Sequence, residues 1–166
     1  MELANNELPK RVDLACGQSK KAGFIGIDRA EAPGVDIVHD LTVYPWPFAD
    51  NAVDELHSSH YVEHIPMIEL FHGGKSKDAF FAFFDECYRI LKPGGTMLVI
   101  CPHLQNVRAF QDPTHRRFIP AESFVYLNKE WRDVNRLNHY NVDCNFAGKS
   151  DVTTFPEMNT LHPEAA

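Results

Sequence analysis

The sequence predicts an α/β domain with a mostly parallel sheet and helices on its faces. Short apolar runs recur at residues 11–16, 24–28, 35–40, 53–59 and 96–101. Most are continuous rather than alternating, as in strands buried on both faces of a parallel sheet. One long stretch, residues 75–91, instead spaces its apolar residues three and four apart, the period of an amphipathic helix.

Each element has its own signals. The run RVDLAC (11–16) stops at Gly17, and FIGID (24–28) ends in an acid. Seven residues separate Cys16 from Phe24. A parallel crossover containing a helix needs about 10–12 residues. Seven extended residues reach about 24 Å, enough to return along a strand of about 20 Å, so this link has no room for a full helix. VDIVHD (35–40) also ends in an acid. Residues 53–59 follow a Pro- and Asn-rich loop, and 60–71 predict a short helix interrupted by Pro66. In 75–91 the apolar stripe is Phe80, Phe83, Phe84, Cys87, Tyr88 and Leu91, expected to pack in the core. Ser76 and Asp78 suit its start, and Lys92-Pro93-Gly94 its end. TMLVIC (96–101), after Pro93-Gly94-Gly95, is the clearest strand. HYNVDCNF (139–146) is the one further strand candidate, and residues 151–166 read as an extended tail.

Composition bounds the function. The chain has 166 residues, 16 Lys+Arg and 23 Asp+Glu, for a net charge of −7. That argues against coating nucleic acid through bulk positive charge. Its longest apolar runs, about five residues, fall far short of the roughly 20 that span a bilayer, and its start lacks a signal-peptide pattern. The cysteines at 16, 87, 101 and 144 form no C-x-x-C pair and read as free, mostly buried thiols of a cytoplasmic protein. Residues 1–102 carry 9 basic and 15 acidic side chains, and 103–166 carry 7 and 8. One domain, 1–166, is expected: a core at 10–102, a loop-rich region at 103–150 completing a site, and the tail.

Three acids mark three successive strands: Asp13 within the first, Asp28 after the second and Asp40 after the third. Ligands of an open parallel sheet bind outside the carboxyl ends of its strands. Carboxylates there suit hydroxyl and amine donors, and Gly17 lets the backbone approach a ligand closely.

VDLACG (12–17), GFIGID (23–28), VHDL (38–41), PWPFADNAVDELHSSHYVEHI (45–65) and FFDECYRILKPGGTMLVICPH (83–103) together resemble a class I S-adenosylmethionine-dependent methyltransferase. DPTHRRFIPAESFVYL (112–127) is similar to small bacterial and phage members. The resemblance implies a Rossmann-like, doubly wound methyltransferase fold, shortened at its C-terminus. It implies that Asp13 and the backbone of Ala15, Cys16 and Gly17 line the methionine and ribose of the cofactor. Asp28, with Arg29 beside it, accepts from the ribose hydroxyls. Asp40 and the backbone of Leu41 meet the adenine, and Ser59 and His60 lie under the sulfonium. Arg89 to Gly95 is structural. His103 and His115 fall on loops that face the methyl acceptor in this fold and suit proton transfer there. Where the family usually has glycine at 15, 17 and 19, this chain has Ala15, Gly17 and Ser19.

The expected function is methyl transfer from S-adenosylmethionine to a small or medium-sized acceptor. The rivals are a cofactor-binding accessory protein without transferase activity and a nicotinamide-dependent oxidoreductase; the lack of G-x-G-x-x-G counts against the latter. His60 and His64 are four apart, a metal-ligand spacing that Cys101, His103 and His115 might extend. The order is His60-Tyr61-Val62-Glu63-His64 rather than H-E-x-x-H, so no metal is expected. Six basic residues between 108 and 136, interleaved with aromatics, read as a solvated face rather than a nucleic-acid surface. A truncated sheet leaves an edge that suits a homodimer.

Overall fold

The computed structural model describes residues 10–72, 74–150 and 152. Its strands are β1 (Arg11–Leu14), β2 (Ile25–Asp28), β3 (Ile37–Val38), β4 (Val53–Ser59), β5 (Glu69–His72), β6 (Lys75–Asp78) and β7 (Leu91–Ile100). Five of them form one parallel sheet in the order β3-β2-β1-β4-β7. The fold is therefore α/β, with the mostly parallel sheet of the methyltransferase fold. No helix forms between β1 and β2, in agreement with the seven-residue link.

Alternation along the strands splits the sheet into two unlike faces. Val12, Leu14, Ile27 and Leu56 are fully buried and share one core with helix α1 (Ala79–Ile90). The opposite face carries Arg11, Asp13, Glu55, His57, Thr96 and Leu98, in register across β1, β4 and β7. There Arg11 pairs with Glu55 at 3.1 Å, and Leu98 is 47% exposed. Burial on both faces, expected from the continuous runs, thus holds for one face only. Among the described residues, no helix lies in the β1–β2, β2–β3 or β3–β4 connections to cover the other.

Three local expectations are corrected. The helix expected at 60–71 is a single 3-10 turn, Val62–His64, followed by β5, which pairs antiparallel with β6. Helix α1 begins at Ala79, four residues later than 75; Asp78 is its cap and accepts from the Phe80 N–H at 2.7 Å. Phe80, Phe83, Phe84 and Cys87 are buried as expected, but Tyr88 is 44% exposed and packs its edge on Phe146.

Residues 139–146 form no strand. Asn138–Tyr140 is a 3-10 turn, and the chain beyond it docks by side-chain bonds to its backbone. Asp85 of α1 accepts from the N–H groups of Asp143 and Cys144 at 2.9 and 2.8 Å. Lys77 is buried between Asp85 and Asp143. Arg132, 2% exposed on helix α3 (Lys129–Val134), donates to the carbonyls of Tyr126, Val142 and Cys144. A short helix α2 (Arg108–Gln111) completes the region. Among the described residues, no helix is long and apolar enough to cross a membrane.

Candidate functional site

The loop after β1 is tied to the end of β2. The Gly17 N–H donates to Asp28 Oδ2 at 3.0 Å, and the Cys16 N–H donates to the Ile27 carbonyl at 3.2 Å. Ala15 and Gly17 both have left-handed backbones, with φ of 55° and 52°. A left-handed alanine costs energy that the surrounding structure must sustain, and such residues cluster at functional sites. The Cys16 sulfur packs into a space that only a glycine leaves open: a Cβ on Gly26 would lie 2.7 Å from it. Burial, with Asp13 nearby, pushes the Cys16 thiol up to about 11, so it stays neutral.

Asp13 is placed differently from the other acids. One of its oxygens accepts from the Lys21 N–H at 2.7 Å and the other meets His57 Nδ1 at 2.7 Å. It is 3% exposed and stands on the polar sheet face. Its carboxylate supports the loop rather than facing the carboxyl-end opening, and His57, its partner, escaped sequence reasoning.

Asp28 remains half-buried, its other oxygen 3.3 Å from the Ala30 N–H. Asp40 accepts from the backbone N–H and the hydroxyl of Thr42, which hold its carboxyl below the usual range, with Arg29 adding to the effect. Leu41 is buried, and its carbonyl accepts from the Trp46 indole at 3.1 Å. At the end of β4, Ser59 is half-buried and His60 is exposed with φ of 56°. Tyr61 was not singled out in the sequence. Its phenol is pushed upward by burial, then by Asp40, and it also feels Arg29 and Asp28. The only signal for it was an aromatic residue two positions after the fourth strand. The structure thus gathers Gly17, Asp28, Arg29, Asp40, Tyr61 and His60 at the carboxyl ends of β1, β2, β3 and β4.

A cavity of about 420 Å³ adjoins this opening, with His60, Arg108, Gln111, Asp112 and His115 in its lining. His115 Nδ1 lies 2.8 Å from the Ala109 carbonyl, and its Nε2 faces Glu63 at 4.0 Å and Asp112 at 3.9 Å. The other histidine, His103, bridges to Ile119 and accepts from the Gln105 N–H at 3.3 Å; it is not in that lining. The structure thus brings His60 and His115 together and sets His103 apart. Glu63, overlooked as a functional group, is 1% exposed beside them. Its carboxylate, 3.3 Å from His60 Nδ1, pushes the His60 pKa up. The Cys101 thiol is pushed up to about 12 by burial and by the Glu63 charge.

Two of the basic residues behind the nucleic-acid alternative are spent internally. Arg117 donates to the carbonyls of Ile65 and Pro66 and pairs with Asp78, and Arg132 serves the three carbonyls already described.

A family profile described as a methyltransferase domain matches residues 11–99, more than half of the chain. No curated protein matches it significantly. Among solved structures, a SAM-dependent methyltransferase from Archaeoglobus fulgidus is similar, with 20% identity and a TM-score of 0.53 over 71% of this chain and 58% of that one. A putative methyltransferase from Bacillus halodurans has 17% identity and a TM-score of 0.54 over 75% and 61%. The cyclase SpnF shares the fold with 19% identity and a TM-score of 0.50 over 71% and 49%. The chain spans about three-fifths or less of the length of these proteins. From the profile match across β1 to β7 and the strand-end site it encloses, the chain belongs to the class I S-adenosylmethionine-dependent methyltransferase family.

Proposed function

We propose that this protein transfers a methyl group from S-adenosylmethionine to a small or medium-sized acceptor, leaving S-adenosylhomocysteine. One observation carries the reading: the Ala15–Gly17 turn is hydrogen-bonded to Asp28 beside Asp40, within the span that defines the family. Asp28 takes the ribose hydroxyls, Asp40 and Leu41 border the adenine with Tyr61, and the backbone of Ala15, Cys16 and Gly17 follows the methionine. Ser59 and His60 lie nearest the sulfonium. Residues 10–102 hold the cofactor, and 103–150 cover the acceptor.

The acceptor occupies the cavity that His60 and His115 share. A sulfonium is already an activated methyl donor, so holding the acceptor atom in line with it supplies much of the rate. His115 presents Nε2 to that cavity because its Nδ1 proton goes to the Ala109 carbonyl. His103 is the weaker catalytic candidate, since it lies outside the cavity lining.

A second reading has one observation in its favour. The turn after β1 has Ala15 and Ser19 where the family usually has glycine. A cofactor-binding accessory protein without transferase activity fits that departure. Titration calorimetry with S-adenosylmethionine, S-adenosylhomocysteine and NAD separates the readings when followed by turnover over an acceptor panel. Binding of the first two with methylated product supports the transferase. Binding without turnover supports the accessory protein, and binding of NAD alone overturns both.

A further inference from the structure

We infer that Glu63, His64 and His115 form a binding site for a divalent metal ion of the zinc class. One ligand atom from each residue lies within 4.8 Å of the others, so a single ion can reach all three with small side-chain adjustments. The decisive feature is Glu63. Its side chain is 2% exposed, yet neither carboxylate oxygen has a hydrogen bond. Burying a carboxylate is costly unless it is paired and hydrogen-bonded, so an orphaned one calls for a partner. His60 does not serve fully: its Nδ1 stands 3.3 Å from Oε1, and its own side chain is 57% exposed.

The two histidines are prepared as ligands. His115 Nδ1 is 2.8 Å from the Ala109 carbonyl, which can only accept, so that nitrogen carries the proton and Nε2 is basic. The Thr114 hydroxyl donates to Asp112 Oδ1 at 2.7 Å, so toward His64 Nδ1, at 3.1 Å, it accepts. His64 is thereby held in the same tautomer. Metal-bound histidines usually donate the other ring N–H to a carbonyl, carboxylate or hydroxyl in this way, which fixes the ring and raises its basicity. Two imidazoles and one carboxylate match the ligand set of catalytic zinc sites, which keep a further position open. One of the three, His115, also lines the cavity with His60 and Arg108. In this arrangement His115 is a ligand rather than a proton acceptor. Sequence spacing points to His60 and His64 as a ligand pair but does not show the burial of Glu63.

The test reads the metal directly and does not depend on methyl transfer. Metal-stripped protein is titrated with Zn²⁺ by calorimetry and with Co²⁺ by visible absorption, with Mg²⁺ as the comparison ion. One equivalent of Zn²⁺ is expected, with weaker Mg²⁺ binding. Glu63→Gln, His64→Gln and His115→Gln should each lower Zn²⁺ affinity roughly tenfold or more. Thr114→Val removes the His64 support and the hydroxyl's bond to Asp112 but no ligand; it should lower affinity less, and His139→Gln should leave it unchanged. If a ligand variant fails to fold, ring-nitrogen NMR of the wild-type protein decides the matter: His64 and His115 must shift on Zn²⁺ addition. Absence of stoichiometric binding, a Co²⁺ spectrum unaltered by the ligand variants, or shifts confined to other histidines would overturn the site. Failure of the methyltransferase reading alone would leave these results untouched.

Discussion

Asp28 and Gly17 make opposite demands on a substitution, and that separates binding from folding. The Asp28 carboxylate accepts from the Gly17 N–H and, in the proposed function, from two ribose hydroxyls. Asp28→Ala is expected to weaken S-adenosylmethionine binding by about 1–3 kcal/mol, the worth of charge-assisted hydrogen bonds. Asp28→Asn keeps an oxygen for Gly17 and should lose less. Calorimetry showing equal affinity in all three proteins would remove Asp28 from the cofactor site. At Gly17 an added Cβ meets nothing within 4 Å, so Gly17→Ala costs the protein only the left-handed backbone, about 1 kcal/mol. A cofactor lying against that backbone would feel the methyl group far more. Affinity should therefore fall more steeply than stability measured by urea unfolding, and parallel losses would show that no ligand approaches there. His115→Ala tests the acceptor side: turnover should drop while cofactor affinity holds, and unchanged activity would exclude it. That Asp28 and Gly17 would meet was legible, because an acid at one strand end and a glycine at the next turn fall at the same edge of a parallel sheet. The pairing of Asp13 with His57, 44 positions away, was not legible because it depends on strand register. The isolation of Glu63 likewise exists only after folding.

Helix α1 is the element on which both halves of the chain meet, and its stripe ranks its residues. Phe84 is 1% exposed and packs against the rings of Phe80, Phe83, Phe124 and Phe146. Tyr88, one turn later, is 44% exposed and touches only Phe146 among those rings. Phe84→Ala is expected to cost about 3–5 kcal/mol, the range for emptying a core aromatic site. Tyr88→Ala should cost well under half of that, and similar urea midpoints for the two would mean that the helix packs on another face. The helical period was readable because 80, 83, 84 and 87 fall on one stripe whatever surrounds them. The start was not. Ser76 and Asp78 both look like caps, and the choice falls to Asp78 because β6 pairs with β5, drawing Lys75–Asp78 into a hairpin. The Gly73-Gly74 pair between the two strands is a hairpin turn signal, but KSKD (75–78) offers no apolar residue to mark a strand after it. Residues 139–146 misled in the opposite sense. Their alternation suits a strand, but Asp85 takes the N–H groups of Asp143 and Cys144 that a ladder would use.

Across the whole molecule, acidic residues outnumber basic ones by seven, and those held in pairs set its response to pH. Asp36, Asp54 and Asp133 are held below the usual carboxylate range chiefly by lysine contacts at the surface. Such exposed pairs contribute little and are screened by salt. Asp143 stands apart. Burial alone would raise it, but hydrogen bonds from Lys77 and Lys75 outweigh that and hold it low. Lys77 is wholly enclosed and also meets Asp85, so this pair joins the hairpin and α1 to the segment around Asp143. The sign follows from linkage. A carboxylate with a folded pKa below its unfolded value of about 3.9 stabilises the protein fully above that value and loses the contribution as pH falls through the folded one. The carboxylate contribution should therefore be level above about pH 5 and decline below about pH 4, while His60, raised by Glu63, adds a separate contribution that is lost as pH rises through its folded value. Asp143→Asn should lower the neutral plateau and meet the wild-type curve in acid, where wild-type Asp143 is protonated and its pairing lost. Asp133→Asn, at a solvated pair, should follow the wild type throughout in 0.15 M salt. The check is a set of urea melts between pH 3 and 8. Equal displacement of the Asp143→Asn curve at every pH would show that its bonds to backbone and packing matter and its charge does not. The 142–146 segment would then be held on α1 by the Asp85 bonds to its backbone and by Phe146 against Phe84 and Tyr88.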